Sequence, residues 1–570
     1  MNTLKDYVNF KLTHADKIAE ANGYPLKMEN CKKYKKMRDL KVYGNSVQDG
    51  TPTPDAPIEV QSVGELTYNL LNDTTFKNSD TITGLKCDYE GDGVFHIYGE
   101  HNPSKASGEL YSSMFALNIP VEDVDSYYSV RGEVIEGTSG NLNTHFFLSV
   151  KNETTTVNFD NAAIPSNSKV GYSHRGFRKP SSRLENATSF SRAWLYFTFN
   201  SSNEPEYLDY RIRVWVYKGE DNKPYEPYGK YKIPLTIRGK NMASIDDIKA
   251  IHKGDWQYLE TTVDGRECIR YTSGGTRTYY GIKFKENTQY TISAETKVIQ
   301  NPSQATGQTV EQVICIWYTD GTKSILYNNK DGVWRKKTIT STANKTIKAI
   351  GITVNEYRNL AYVDINTFQV EEGTTATDYE PYQAVTTNIF LNEPLRKIGD
   401  YADYIDFKEN KVVRNVAFQT LLSSASWDQG VAAWQREGHT DFIASLLLNV
   451  ATINNYKIYS NRFKKGTWTW SNDTFPGNYI YTALYANRTT HLIIQNECLE
   501  GITNESSFQE KLLAFKKFLD TNETYITYVR SAPIEEPLNI DLPKLTAKTT
   551  IIEVDTNLLP SNAYGKYIKK

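Results

Sequence analysis

The chain has 570 residues with 65 Lys and Arg against 67 Asp and Glu, a net charge of −2. The length suggests about three or four domains, and the balanced charge excludes a global basic field for nucleic acid or an anionic membrane. Aromatic residues make up 12% of the chain, which excludes intrinsic disorder and favours β-structure with polar outer faces.

Residues 1–41 are predicted to form a helical attachment segment. An amphipathic pattern covers 3–22, and a second, shorter apolar stripe with many basic neighbours covers 28–40. We interpret the basic surface as solvated or, alternatively, as a docking surface for an acidic partner protein. The apolar positions expected to make the attachment are Leu4, Tyr7, Val8, Leu12, Tyr34 and Met37.

Residues 42–64 are predicted to be a Pro-rich extended connector, because their prolines cannot continue a helix or occupy a central strand. The five cysteines form no CxxC pair, which indicates free thiols and intracellular assembly. The N-terminus lacks the basic and then apolar stretch of a signal peptide. We therefore expect synthesis in a cytoplasm, no secretory signal and no membrane insertion.

Two tandem β-sandwich modules are predicted over 65–240 and 241–383. Short alternating runs are separated by turn sequences such as EGDG at 90–93 and KDG at 330–332. The segments GEDNKPYEPY at 219–228 and GTTATDYEPY at 373–382 repeat at an offset of 154 residues, from Gly219 to Gly373. We interpret the YEPY ending as a packed seam of each module rather than a ligand site.

Residues 384–570 are predicted to form a mixed, β-rich C-terminal domain with one packed helix at about 507–519. The run 403–413 is strand-like, and apolar residues at helical spacing follow position 508. Ser506 and Gln509 are placed as a capping box for that helix. The expected fold class is therefore mainly β, with a short N-terminal helical segment, two tandem β-sandwich modules and a C-terminal mixed β domain that contains one packed helix.

Two blocks of sequence resemble minor structural and tail-tip proteins of phages that infect Gram-positive bacteria. One is YGNSVQDGTPTPDAPIEVQSVG at 43–64. The other comprises PLRKIGDYADYIDFKENKVVRNV at 394–416, PIEEPLNIDLP at 533–543 and VDTNLLPSN at 554–562. The two modules resemble the jelly-roll carbohydrate-binding modules found in such proteins. The resemblance implies a virion protein of the tail, baseplate or fibre, a homo-oligomeric ring or trimer, and other tail proteins and a host-surface glycan as partners.

No motif indicates catalysis. The eight histidines show no HxH or HExxH spacing, and the chain contains no nucleophile elbow and no phosphate-binding loop. We therefore expect no enzymatic activity and no cofactor. Asp88, Glu90 and Asp92 resemble the first half of a calcium loop, but a closing Glu is missing, so a turn between strands explains them better.

A saccharide-binding face is predicted on the strand YRIRVWVY at 210–217. Alternation places its apolar residues towards the core and four polar or aromatic side chains on the opposite face. Guanidinium groups and aromatic rings suit an anionic saccharide such as a phosphorylated wall polymer. The alternative is a ladder that packs on a neighbouring module or subunit. The candidate binding residues are Arg211, Arg213, Trp215, Tyr217 and, in GTWTW, Trp468 and Trp470.

Three functions follow from these predictions. The preferred one is host-surface adhesion through carbohydrate-binding-like modules displayed on a phage particle. The second is a purely architectural tail protein that binds only neighbouring virion proteins. The third is a glycan depolymerase, which would need a pair of carboxylates flanking a sugar, and no short motif indicates such a pair.

Overall fold

The computed structural model describes residues 41–560 of this chain apart from internal gaps. The gaps are 73–78, 81–83, 103–109, 200–203, 247–248, 250–257, 272–274, 280–281, 283, 301–308, 355–358, 426–440, 448–457, 466–478, 483–488, 539, 541–550 and 555–557. The described chain is mainly β, as the sequence predicts. One compact unit contains Pro234–Asn388, and the other contains Lys41–Ile233 and Ile389–Leu538.

Module 1 is a sandwich of two antiparallel sheets. Four short strands precede it: β1 (Lys41–Tyr43), β2 (Ser46–Val47), β3 (Gln61–Val63) and β4 (Glu65–Leu66). Its own strands are β5 (Ser79–Asp80), β6 (Leu85–Gly91), β7 (Val94–His101), β8 (Leu110–Pro120), β9 (Tyr128–Gly137), β10 (Leu142–Lys151), β11 (Thr156–Ile164), β12 (Ser173–Arg178), β13 (Ser189–Phe199) and β14 (Glu206–Lys218). One sheet has the order β12-β9-β14-β7-β6-β5 and the other β11-β10-β13-β8.

The core of module 1 lies between these two sheets. On β14, Ile212, Val214 and Val216 are fully buried in it, as the alternation of that strand predicts. Phe95 and Phe146 approach each other across the sandwich, with ring centroids 6.4 Å apart. Burying such large apolar side chains contributes about 1.5–3 kcal/mol each before the entropic cost of ordering them.

Module 2 repeats this topology. After β15 (Tyr231–Arg238), its strands are β16 (Tyr258–Val263), β17 (Arg266–Tyr271), β18 (Gly275–Tyr279), β19 (Tyr290–Ile299), β20 (Val310–Tyr318), β21 (Lys323–Asn329), β22 (Arg335–Thr340), β23 (Ile347–Val354), β24 (Leu360–Asp364) and β25 (Gln369–Glu372). One sheet has the order β16-β17-β24-β19-β22, with β25 also paired to β19, and the other has the order β18-β23-β20-β21. Strands β24 and β25 together take the place of β14.

The C-terminal domain combines sheets with a packed helix. Its strands are β26 (Ala384–Leu391), β27 (Lys397–Ile398), β28 (Tyr401–Ala402), β29 (Tyr404–Asp406), β30 (Lys411–Thr420), β31 (Asp441–Leu447), β32 (Ile458–Ser460), β33 (Lys464–Lys465), β34 (Tyr479–Thr482), β35 (Thr489–Gln495) and β36 (Tyr525–Pro537), followed by β37 (Ile551–Val554) and β38 (Leu558–Pro560). One sheet has the order β1-β29-β30-β36-β32 and another β31-β35-β34-β33.

Helix α1 (Phe508–Thr521) packs Leu512, Phe515 and Leu519 into the core of the C-terminal domain, as predicted. Its N-cap is one residue later than the sequence analysis placed it. Ser507 accepts the backbone N–H of Glu510, whose carboxylate accepts the N–H of Ser507 in return. The predicted pair of Ser506 and Gln509 is therefore wrong, because both serines satisfy the sequence pattern and only the helix start distinguishes them. None of the helices in the described residues is long and apolar enough to cross a bilayer.

The Pro-rich segment 42–64 lies against the C-terminal domain rather than running freely between domains. Gln48 Nε2 donates to Ser460 O at 2.9 Å, and the phenolic hydroxyl of Tyr525 accepts the backbone N–H of Val60 at 3.2 Å. Strand β3 pairs with β38, and β1 pairs with β29. The backbone N–H groups of Gly44, Ile58 and Val63 also donate to carbonyl groups of the C-terminal domain. The assignment of the segment as an extended connector stays a prediction.

Candidate functional site

Arg211, a predicted binding residue, is held by ion pairs on the outer face of the six-stranded sheet. Its Nε and Nη2 lie 2.8 and 3.0 Å from the two carboxylate oxygens of Glu90, and its Nη1 lies 3.1 Å from Glu136 Oε2. The Arg211 guanidinium holds the pKa of the Glu90 carboxyl below its usual range. Two carboxylates therefore already satisfy this guanidinium, which leaves little charge for an anionic ligand.

Trp215 and Tyr217 do lie on the outer face, but both side chains are 0% exposed. The Arg131 guanidinium carbon lies 4.9 Å from the centre of the Trp215 ring, and Tyr225 packs edge-on against the same ring at 5.9 Å. The Tyr217 hydroxyl donates to Asp221 O at 2.7 Å. The prediction that these rings present a platform for sugar stacking is thus corrected: the loop 219–228 folds back over the strand and covers them.

Arg213, the remaining candidate on this strand, contributes to the same packing. Its guanidinium carbon lies 4.7 Å from the Tyr225 ring centre. In the same YEPY segment Glu226 is buried and accepts from Lys232 Nζ at 2.9 Å and from the Tyr68 N–H at 3.2 Å. These contacts agree with the interpretation of YEPY as a packed seam. Tyr225 packs on β14 of the module's own sheet, and Glu226 binds Lys232 on β15 and the backbone of Tyr68.

The three calcium candidates do not form a cation cage. Asp88 accepts the Tyr98 hydroxyl at 2.8 Å, and Glu90 is engaged by Arg211. Asp92 lies in the turn between β6 and β7, with a φ of +50°. Nowhere in the described part of the chain do three or more His, Cys, Asp or Glu side chains converge as metal ligands would.

The other predicted contact residues lie outside the described residues. They are Trp468 and Trp470 in the C-terminal domain and, in the N-terminal segment, Leu4, Tyr7, Val8, Leu12, Tyr34 and Met37.

An exposed group of aromatic and basic side chains lies where β12 forms the edge of the six-stranded sheet. We call Tyr127, Arg175, Phe177 and Lys179 the edge patch. The rings of Tyr127 and Phe177 are 37% and 44% exposed, with centroids 5.8 Å apart. Arg175 lies over Phe177 at 4.6 Å and Lys179 over Tyr127 at 5.1 Å. Each exposed ring therefore carries a cation beside it.

Pairing of β12 with β9 builds this patch. Phe177 lies opposite Ser129, which brings it beside Tyr127, the residue immediately before β9. Gly176 allows the close approach of β12 to β11, because a Cβ at that position would lie 2.4 Å from Asn161 O. The sequence reasoning missed the patch, although the alternation of Arg175, Phe177 and Lys179 in HRGFRKP was a visible signal.

Among the described residues, no carboxylate pairs with the cations of the edge patch. Arg175 donates to the backbone carbonyl of Glu220, and within the described residues neither Arg175 nor Lys179 forms an ion pair with an Asp or Glu side chain. Their charge is therefore available to an anion, in contrast to that of Arg211. A cation over an exposed ring contributes about 0.5–1 kcal/mol, so the pairs also keep the rings in place.

A second aromatic cluster occupies the outer face of the four-stranded sheet. Phe147 stacks on Trp194 at 5.3 Å with an interplanar angle of 17°, and Tyr196 packs edge-on to Phe147 at 5.6 Å. Arg192 lies 5.2 Å from the Trp194 ring centre. The sequence reasoning missed this cluster too, although SRAWLYF alternates. Trp194 is only 7% exposed, so it offers a ligand far less ring area than the edge patch does.

Comparisons with known proteins give no family for this chain. No protein-family profile matches it, and no curated protein sequence matches it. A solved structure similar to part of it is the N-terminal CBM22-1-CBM22-2 tandem domain of Paenibacillus barcinonensis Xyn10C, at a TM-score of 0.20 and 12% identity over 55% of this chain and 98% of that chain. Another is a putative secreted protein from Parabacteroides distasonis ATCC 8503, at a TM-score of 0.12 and 7% identity over 58% of this chain and 100% of that chain. TM-scores this low add nothing to the fold described above.

Proposed function

We propose that this chain is a non-enzymatic structural protein of a phage tail, baseplate or fibre that binds an anionic glycan of the host surface through the edge patch of module 1. The observation that carries the proposal is the exposure of two adjacent rings, Tyr127 and Phe177, each with an unneutralised cation beside it. The resemblance of residues 43–64 and 394–416 to phage tail-tip proteins supports the assignment to a virion.

The chemistry of the patch suits a sugar polymer that carries phosphate or carboxylate groups. The C–H faces of a pyranose pack on aromatic rings, and the anionic groups pair with Arg175 and Lys179. An exposed site of this size gives weak binding, because exposed ion pairs are screened by salt and contribute about 0–1 kcal/mol each. Adhesion then depends on several copies acting together, which raises avidity by about 10²–10⁴ when the sites are linked on one particle.

The experiment that tests the proposal measures binding of the whole chain, at low and high salt, to purified teichuronic acid, an anionic wall polymer whose carboxylates are carried on pyranose rings. Phe177→Ala and Arg175→Ala are each expected to weaken binding about three- to tenfold, from the loss of one stacking or one charged contact. The Arg175 variant also lowers the salt dependence, because fewer counterions are displaced.

Tyr207→Ala provides the matched control. Tyr207 is the most exposed large aromatic side chain among the described residues of module 1, at 69%, and lies on β14 outside the patch. Its removal leaves binding unchanged under the proposal. If the Phe177→Ala and Tyr207→Ala variants bind the polymer equally well, the edge patch is not the binding site. Failure of the wild-type chain to bind any anionic wall polymer would remove the function itself.

A further inference from the structure

Trp334 in module 2 is held in a fixed orientation by polar side chains from three elements. Its indole Nε1 donates to Asp264 Oδ2 at 2.8 Å, and Lys297 Nζ donates to the same oxygen at 2.8 Å. The Arg266 guanidinium carbon lies 4.9 Å from the ring centre. Arg266 in turn is paired with Glu295. We call Asp264, Arg266, Glu295, Lys297 and Trp334 the indole site.

The backbone around the indole site is rigid. Asp264 and Gly265 form a two-residue hairpin turn between β16 and β17 with φ of +52° and +76°, a conformation that Asp-Gly sequences favour. The loop that carries Trp334 is tied to β19, because the Gly332 N–H donates to Val298 O at 2.9 Å. The side chains of the site are thus placed before any ligand arrives, which lowers the entropic cost of binding.

Trp334 lies outside the apolar core of module 2 and is partly exposed. Its neighbour Val333 is 50% exposed, so no further layer of protein covers this loop. Arg266 occupies one face of the ring, and no other aromatic side chain in the described residues stacks on it. A tryptophan used only to fill a core is buried among apolar groups, whereas this one is surrounded by charged groups near solvent.

The charge of the indole site differs from that of the edge patch. Three carboxylates neutralise the two cations of the site. Lys297 pairs with Asp264 at 2.8 Å. Arg266 pairs with Asp364 at 2.9 Å and also with Glu295. The site therefore has no surplus of positive charge for a phosphate. Its exposed carboxylate oxygens can accept hydrogen bonds from hydroxyl groups, which suits a ligand without negative charge.

We propose that the indole site binds an uncharged pyranose, with the sugar ring packed on Trp334 and its hydroxyl groups donating to Asp264 and Glu295. The inference rests on the proposed glycan-binding function and adds a second site of different specificity. One chain would then contact two chemically distinct parts of a host surface, an anionic polymer through module 1 and a neutral sugar through module 2.

The test measures binding of the whole chain to chitohexaose and cellohexaose, as uncharged probes, and to teichuronic acid. Trp334→Ala is expected to weaken binding of at least one uncharged probe by tenfold or more and to leave teichuronic acid binding unchanged. Trp334→Phe keeps a ring but loses the hydrogen bond to Asp264, so its binding should be intermediate. Tyr327→Ala, which removes a 43% exposed ring on β21 of the same module, serves as the control.

The outcomes separate the two proposals. The indole site is refuted if neither uncharged probe binds the wild-type chain. It is also refuted if Trp334→Phe and Trp334→Ala both fold and both bind the uncharged probes as tightly as the wild-type chain does. Neither result affects the proposal for the edge patch. If the Phe177→Ala change alone removes binding of both kinds of probe, the two sites are not independent and the inference also fails.

Discussion

Asn69 and Asn241 occupy the same structural position in the two modules. The side-chain oxygen of each asparagine accepts the backbone N–H of the residue two positions later. The same oxygen also accepts a backbone N–H from the final strand of its module, from Val216 at 3.3 Å in module 1 and from Val370 at 3.1 Å in module 2. Both asparagines are buried. Val216 and Val370 are separated by the same 154 residues as the two YEPY segments, so the repeat includes this connection between the beginning and the end of each sandwich.

Replacing Asn241 by alanine is expected to destabilise module 2. Its amide also donates to Phe368 O at 3.2 Å and Glu380 O at 3.0 Å, so the change leaves several buried backbone groups without partners. A buried unsatisfied group costs about 1–3 kcal/mol. The expected result is a loss of that size in the free energy of unfolding, measured by urea denaturation. Asn366→Ala, an exposed asparagine in the same module, should have no effect, and equal stability of the two variants would contradict the prediction.

Trp215→Ala is expected to lower stability rather than to remove a sugar contact directly. The indole is fully buried between Arg131 and Tyr225, and removal of a buried Trp side chain costs about 3–5 kcal/mol. The measurement is the unfolding free energy of the variant, with Tyr207→Ala as the control on the same strand. An unchanged free energy for Trp215→Ala would show that the loop 219–228 does not cover the ring in solution.

The start of helix α1 provides a third prediction. Ser507→Ala removes the N-cap hydroxyl and should reduce stability by about 1 kcal/mol, the usual value of such a cap. Gln509→Ala is the control, since Gln509 lies in the first turn but takes no part in the observed capping box. The measurement is the free energy of unfolding of the two variants, Ser507→Ala and Gln509→Ala, from urea denaturation of the C-terminal domain within the whole chain. A larger loss for Gln509→Ala would place the cap at Ser506, as the sequence pattern alone suggests.

Local periodicity was sufficient to predict much of the fold. Alternation identified β14 and its inward residues, and helical spacing located α1. The Asp-Gly turns at 92–93 and 264–265 close hairpins, whereas KDG at 330–332 connects β21 to β22 in the opposite sheet and closes none. These features depend on neighbours along the chain, and burial follows from them directly. The Pro-rich segment shows the limit of this reasoning: Gln48 contacts Ser460 across 412 residues, and no local pattern indicates that pairing.

The candidate site was harder to predict for a physical reason. Alternation correctly placed Trp215 on the outer face of its sheet, but it does not show whether another segment covers that face. The loop 219–228 does so here. Conversely, Phe177 becomes part of a site only because β12 pairs with β9 and brings Tyr127 beside it. Surface chemistry therefore depends on long-range pairing more than core positions do.

The thiols of the chain provide a fourth prediction. Burial raises the pKa of the Cys315 thiol to about 11, so at pH 8 roughly one molecule in a thousand carries the reactive thiolate, and the surrounding β20 core blocks access as well. Cys498 is only partly buried. Iodoacetamide at pH 8 should therefore label Cys498 in the folded protein and label Cys315 only after denaturation, as peptide mass spectrometry would show. Labelling of both residues at similar rates in the folded protein would contradict the burial of Cys315.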